Sequence, residues 1–113
     1  MPIQEWSEQI LLADLQDDPQ LADDLHGLLE TVEDRTDVDV VLNFAQVGFV
    51  NSSNVSKLLR LRKAVTVNNQ RKLKICGIST QVWGVFLVTG LDKVFDFADD
   101  VTSGLAGLQL DCG

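Results

Sequence analysis

Two hydrophobic periods alternate along this chain. Short, mostly apolar runs at residues 9–15, 38–44, 72–78 and 94–97 are each followed by a stretch whose apolar residues recur at spacings of three and four. The first pattern is that of buried strands and the second that of one helix face. A chain that switches repeatedly from one to the other has few ways to bury both. It builds a largely parallel sheet, joined by right-handed crossovers, with helices packed against it.

The helix starts are marked as clearly as the stripes. Asp17-Asp18-Pro19 opens the first, with Leu21, Leu25, Leu28, Leu29 and Val32 inward and His26 beside the stripe. Asn51-Ser52-Ser53-Asn54, all good N-cap types, opens the second. Its inner face is read as Val55, Leu58, Leu59, Arg62 and Val65, widened by Leu61 and Ala64. Ser79 or Thr80 caps the third, with Val82, Val85, Phe86 and Thr89 inward and Gly90 at the left-handed position that ends many helices. Asp99-Asp100 opens the fourth, with Val101, Leu105 and Leu108 inward. The expectation is a single α/β domain over residues 1–113, core about 9–110, with a mixed, largely parallel sheet of four to five strands and about four helices.

Composition narrows the function classes. A chain of 113 residues suits one core. A net charge of −8 opposes a domain-wide nucleic-acid or anionic-membrane footprint. Two cysteines and one histidine are too few for a disulfide scaffold or an ordinary four-ligand Cys/His zinc site, so no metal or cofactor is expected. No apolar run approaches the roughly 18–20 residues that span a bilayer. The first residues lack a positive start or a small-residue cleavage site, so a cytoplasmic protein is expected, with no direct membrane insertion. The charge is segmental. Residues 1–50 hold 12 acids against Arg35, residues 51–75 hold seven bases and no acid, and residues 76–113 hold five acids against Lys93. Lys57, Arg60 and Lys63 share one side of the second helix at three-residue spacing. They are either a solvated face or part of a surface that steers a partner.

A hydroxyl at a helix start faces unpaired N–H groups and the positive end of the helix dipole. Ser52 and Ser53 are therefore caps, phosphate acceptors, or both. A phosphate there adds about −1.5 to −2 charges that the helix itself tolerates. An acidic or apolar partner docked over it does not, so one modification can leave the fold intact and block association.

Two stretches carry a family resemblance. Val40-Val41-Leu42-Asn43-Phe44 followed by Val47 to Val55 resembles the strand–loop–helix of STAS domains, the bacterial anti-sigma-factor antagonists. Leu87-Val88-Thr89-Gly90-Leu91-Asp92-Lys93-Val94-Phe95 is similar, almost position by position, to that family's Thr-Gly-Leu-Asp-Lys segment. The resemblance runs from about residue 9 to 110 and implies a regulatory binding module, not an enzyme. It implies an anti-sigma factor or serine kinase as partner and Ser53 as the position where phosphorylation turns binding off. Asp18, Asn51, Ser52 and Asn54 then surround the phospho-site, and Gly48, Phe49, Val55, Lys57 and Arg60 form the partner surface. The sequence departs from the pattern where Asn51 replaces an Asp before the serine pair, Asn54 replaces a Gly after it, and Asn43 replaces the Asp ending the strand. These departures favour the alternative, a non-phosphorylated scaffold or accessory subunit of a stress-signalling or membrane-transport complex. An enzyme is the least supported class, for the chain has no Gly-x-Gly-x-x-Gly, P-loop lysine motif or nucleophile elbow. The oligomeric state is not set by these features. Trp83 and Leu87 lie off the inner stripe of their helix and suit either a partner contact or packing on Trp6. Cys76 reads as an inert core residue and Cys112 as part of a frayed end.

Overall fold

The computed structural model describes residues 3–110, so the reading of Cys112 lies outside the described residues. Five strands form one sheet in the order β1 (Ile3–Ser7), β2 (Ile10–Gln16), β3 (Asp39–Gln46), β4 (Leu73–Cys76) and β5 (Asp96–Ala98). β1 runs antiparallel to β2 and the other three pairings are parallel, with Leu12 opposite Val41, Leu42 opposite Ile75 and Ile75 opposite Phe97. Four helices accompany them: α1 (Gln20–Asp34), α2 (Ser52–Arg62), α3 (Thr80–Thr89) and α4 (Val101–Leu110).

Strand alternation divides the core into two layers. Leu11, Ala13, Leu15, Val40, Leu42, Phe44 and Ile75 face the side covered by α1, α2 and α3, where they meet Leu21, Leu25, Leu28, Leu58, Leu61 and Phe86. Their neighbours Ile10, Leu12, Val41 and Cys76 face the other side and meet Leu105 and Leu108 of α4. The central strands therefore read as continuous apolar runs because both their faces are covered.

α4 comes close to the sheet because residue 104 is glycine. A Cβ at Gly104 would sit 2.6 Å from Cys76 Sγ, well inside contact distance. Burial pushes the Cys76 thiol up to about 11, which keeps it protonated near neutral pH. Gly104→Ala is expected to lower stability in urea unfolding by about 1–3 kcal/mol, the usual cost of overpacking. In a Cys76→Ala background the sulfur is gone, and the same change should cost at least about 1 kcal/mol less because the two sites share one contact. Equal costs in both backgrounds would show that the helix sits down for another reason.

The structure corrects several details of the sequence reading. β1 had no counterpart in the predicted order, since its only partly covered apolar contact is Ile3, packed on the main core. The last strand is Asp96–Ala98, not 94–97, because Leu91–Lys93 forms a tight 3-10 turn that uses up the preceding residues. On α2 Leu58 and Leu61 are buried, as are Ala64 and Val65 in the turn that continues it, while Leu59 is exposed and Arg62 donates from Nε to the Val94 carbonyl at 3.0 Å. The helical path does not fade near Val67 but widens over Lys63–Asn68 into a π-helical turn, in which the Asn69 N–H reaches the Ala64 carbonyl at 3.0 Å. On α3, Val82 and Phe86 are buried, Val85 is half-buried and Thr89 is exposed. Gly90 ends that helix at φ 77°, in the left-handed conformation expected of it.

Candidate functional site at the start of the second helix

The rim beyond the C-terminal end of β3 is built around one carboxylate. Asn51 is the N-cap of α2 and accepts the Asn54 N–H on Oδ1 at 2.8 Å, while Asn54 Oδ1 accepts the Asn51 N–H at 3.0 Å. This reciprocal capping box satisfies two N–H groups at the helix start. It leaves both side-chain NH2 groups free to donate, and both turn to Asp18. Asn51 Nδ2 donates to Asp18 Oδ2 and Asn54 Nδ2 to Oδ1, each at 3.2 Å. Asp18 Oδ1 also accepts the Ala22 N–H at 3.0 Å, satisfying a donor in the first turn of α1. A single carboxylate thus ties the first turns of α1 and α2 together.

The residue types follow from the charges. A carboxylate at position 51 would place a second anion against Asp18, whereas an amide donates to it. A glycine at 54 would lose both the return bond of the box and the bond to Asp18. Asn54, expected among the surroundings of the phospho-site, is 1% exposed. The departures at positions 51 and 54 are therefore one network. Asn43 repeats the device one strand end away, where its Nδ2 donates to Asp14 Oδ1 at 2.9 Å and its Oδ1 accepts the Ala45 N–H at 3.1 Å. Asp17, which the sequence reading used only as part of a helix start, holds the loop by accepting the Gly48 N–H at 2.8 Å. Its position next to Asp18 was the only hint.

Asn51→Ala removes the cap and one of the donors to Asp18. It is expected to destabilise the protein by about 1–2 kcal/mol in thermal or urea unfolding. A change below a few tenths of a kcal/mol would mean that the network is replaced by water without loss.

Outside this clamp lies an exposed surface. Ser52, Ser53, Gly48 and Arg60 are exposed, and Phe49 projects its ring with 66% of its surface accessible. Lys57, one turn after Ser53, donates from Nζ to its Oγ at 3.0 Å. Val55, expected on the partner surface, is half-buried and packs on the main core instead. The basic run is partly used inside the fold, with Arg62 on the Val94 carbonyl and Arg71 on Asp39, so Lys57, Arg60 and Lys63 are what it contributes to the α2 face.

The fold and this rim define an α/β domain of the STAS type. The chain belongs to the STAS domain family, whose model matches residues 18–104. Among curated protein sequences there is no significant match. Among solved structures, the chain is similar to a Ser-to-Glu variant of RsbS from Moorella thermoacetica, at 16% identity and TM-score 0.82, over 98% of this chain and 96% of that one. It is also similar to an anti-sigma-factor antagonist domain protein from Planctomyces limnophilus, at 17% identity and TM-score 0.81, covering 95% and 96% of the two chains. A third likeness is to the Bacillus cell fate determinant SpoIIAA in its phosphorylated form, at 17% identity and TM-score 0.64, covering 85% and 88%. Among the described residues no helix is long and apolar enough to cross a membrane.

Proposed function

We propose that the protein is a regulatory binding module that docks an anti-sigma factor or serine kinase through the rim of Gly48, Phe49, Ser52, Ser53 and the outer face of α2 at Lys57 and Arg60, with phosphorylation of Ser53 ending the association. The observation that carries this reading is an exposed Phe49 ring and an exposed Ser53 four residues apart in the chain, on a segment held by Asp17 through the Gly48 N–H and by Asp18 through the Asn51 side chain. An exposed aromatic anchor on a rigid loop suits a partner contact, since little ordering entropy remains to be lost on binding. A phosphate on Ser53 would lie within the first turn of α2 and within reach of the Lys57 ammonium, so the domain would tolerate it. A partner seated over Phe49 would instead meet a doubly charged group in its interface.

The test is calorimetric titration of the cognate anti-sigma factor or kinase with wild type, Ser53→Ala and Ser53→Glu. Ser53→Glu is expected to weaken binding by at least about tenfold, with Ser53→Ala within about twofold of wild type. Equal affinities for all three would remove Ser53 from the interface. Incubation with that kinase and ATP should add the mass of one phosphate at Ser53. The second reading, a scaffold or accessory subunit never phosphorylated, draws on the Asn51–Asp18–Asn54 clamp, which ties up the Asp18 carboxylate and puts amides where the family pattern has an Asp and a Gly. Retained binding with no gain in mass would favour it.

A further inference from the structure

At the same end of the sheet, but sharing no lining residue with that rim, Trp83 and Phe97 form a corner of a half-open cavity of about 260 Å3, also lined by Ile78, Ala98 and Asp99. It lies past the C-terminal ends of β4 and β5, the end of a parallel sheet where the connecting loops leave room for ligands. Trp83 does not pack on Trp6. Its ring meets that of Phe97 in an edge-to-face contact, at 88° with centroids 5.0 Å apart, and both residues line the cavity. Both residues are only half-buried, so ring surface remains open to the cavity.

Asp99 is the one charged residue among the five that line this cavity. The Asp99 carbonyl accepts the Gly77 N–H at 3.2 Å, but its exposed carboxylate has no hydrogen bond or ion pair among the described residues. None of the five lining residues is basic, and beyond residue 75 the chain carries five acids against Lys93. An anion would be repelled by Asp99. A purely apolar guest would leave that carboxylate partly desolvated with nothing to pair with. A compact cation clothed in methyl groups meets both conditions, because aromatic faces attract it and its alkyl surface loses water readily.

We propose that the cavity binds a small quaternary or alkylated ammonium compound, with Trp83 and Phe97 as its walls and Asp99 as its counter-ion. The site shares no lining residue with the Ser53 rim and does not depend on the regulatory reading.

The experiment uses the full chain carrying Trp6→Phe, an exposed position, so that Trp83 is the sole indole. Choline chloride is titrated against matched sodium chloride while Trp83 emission and the backbone amide resonances are followed. A saturable change is expected, with amide shifts centred on Ile78 and residues 97–99. The neutral carbon isostere of choline, dimethylbutanol, should bind at least about tenfold more weakly. Asp99→Asn, a change at an exposed side chain, should weaken choline by about two- to fivefold. No saturable response to choline, or equal affinity for the isostere, would overturn the proposal. A second arm separates the sources of the cation. Retention on phosphatidylcholine but not phosphatidylglycerol vesicles assigns a lipid headgroup, and a choline response with no vesicle retention assigns a free solute.

Discussion

Replacing Phe86 by alanine is expected to cost about 3–5 kcal/mol of unfolding free energy, the largest effect of any single change considered for this protein. Phe86 is fully buried on α3 and is the hub of an aromatic cluster. Its ring meets that of Phe44 on β3 edge-on at 6.5 Å and 86°, that of Phe97 on β5 at 5.7 Å and 75°, and that of Phe95 at 5.9 Å and 54°. Truncation therefore leaves a void touching a central strand, an edge strand and the turn that leads into it. These cannot all close on it at once, so the cavity cost adds to the lost transfer energy. For a domain whose whole stability is of the order of 5–15 kcal/mol, the midpoint in urea should fall sharply. Phe86→Leu, which keeps much of the volume, should cost about 1.5 kcal/mol or less. A loss near 1 kcal/mol for the alanine variant would show that the cluster rearranges and is not the keystone of α3.

The second large effect is electrostatic. Asp39, at the start of β3, is buried, and Arg71 donates to it from Nη2 at 3.2 Å, while Nε lies 3.1 Å from the other carboxylate oxygen as an ion-pair contact without hydrogen-bond geometry and the Lys72 N–H donates to that same oxygen at 2.9 Å. Arg71→Met keeps the aliphatic stem and removes the charge. The expected loss is about 3 kcal/mol, because a carboxylate is left in a low-dielectric setting without its counter-charge. It sits at the lower end of the range for broken buried pairs because the Lys72 N–H remains. Adding Asp39→Asn in the same chain should recover part of the loss, since a neutral amide is less costly to bury than an unpaired anion. If the double variant is no more stable than Arg71→Met alone, the pair contributes through packing and not through charge.

Much of the architecture was legible before any coordinates, and particular residues show why. The stripe of Leu21, Leu25, Leu28 and Val32 and the unbroken run from Val40 to Leu42 report burial directly, because which side chains leave water depends on local period. The runs Asn51–Asn54 and Ser79-Thr80 marked helix starts, and within them Asn51 and Ser79 are the caps, each accepting an N–H three residues on. Gly90 marked an end for an equally local reason. β1 escaped because a strand at the sheet edge buries little and shows no full apolar alternation. The π-helical turn after α2 escaped because a change of hydrogen-bond register leaves no mark in composition.

The rim was legible only in outline. That Ser53 would sit exposed at a helix start followed from its neighbours in the chain. That Asn51 and Asn54 would converge on Asp18 did not, for those partners lie 33 and 36 positions away. The same holds for Arg71 with Asp39, 32 positions apart, and for the right-angled meeting of Trp83 and Phe97. Periodicity and capping are short-range effects, so the chain alone was enough to establish its elements and the faces they bury. Which amide answers which carboxylate depends on how those elements pack, and packing brings together groups that no local pattern relates.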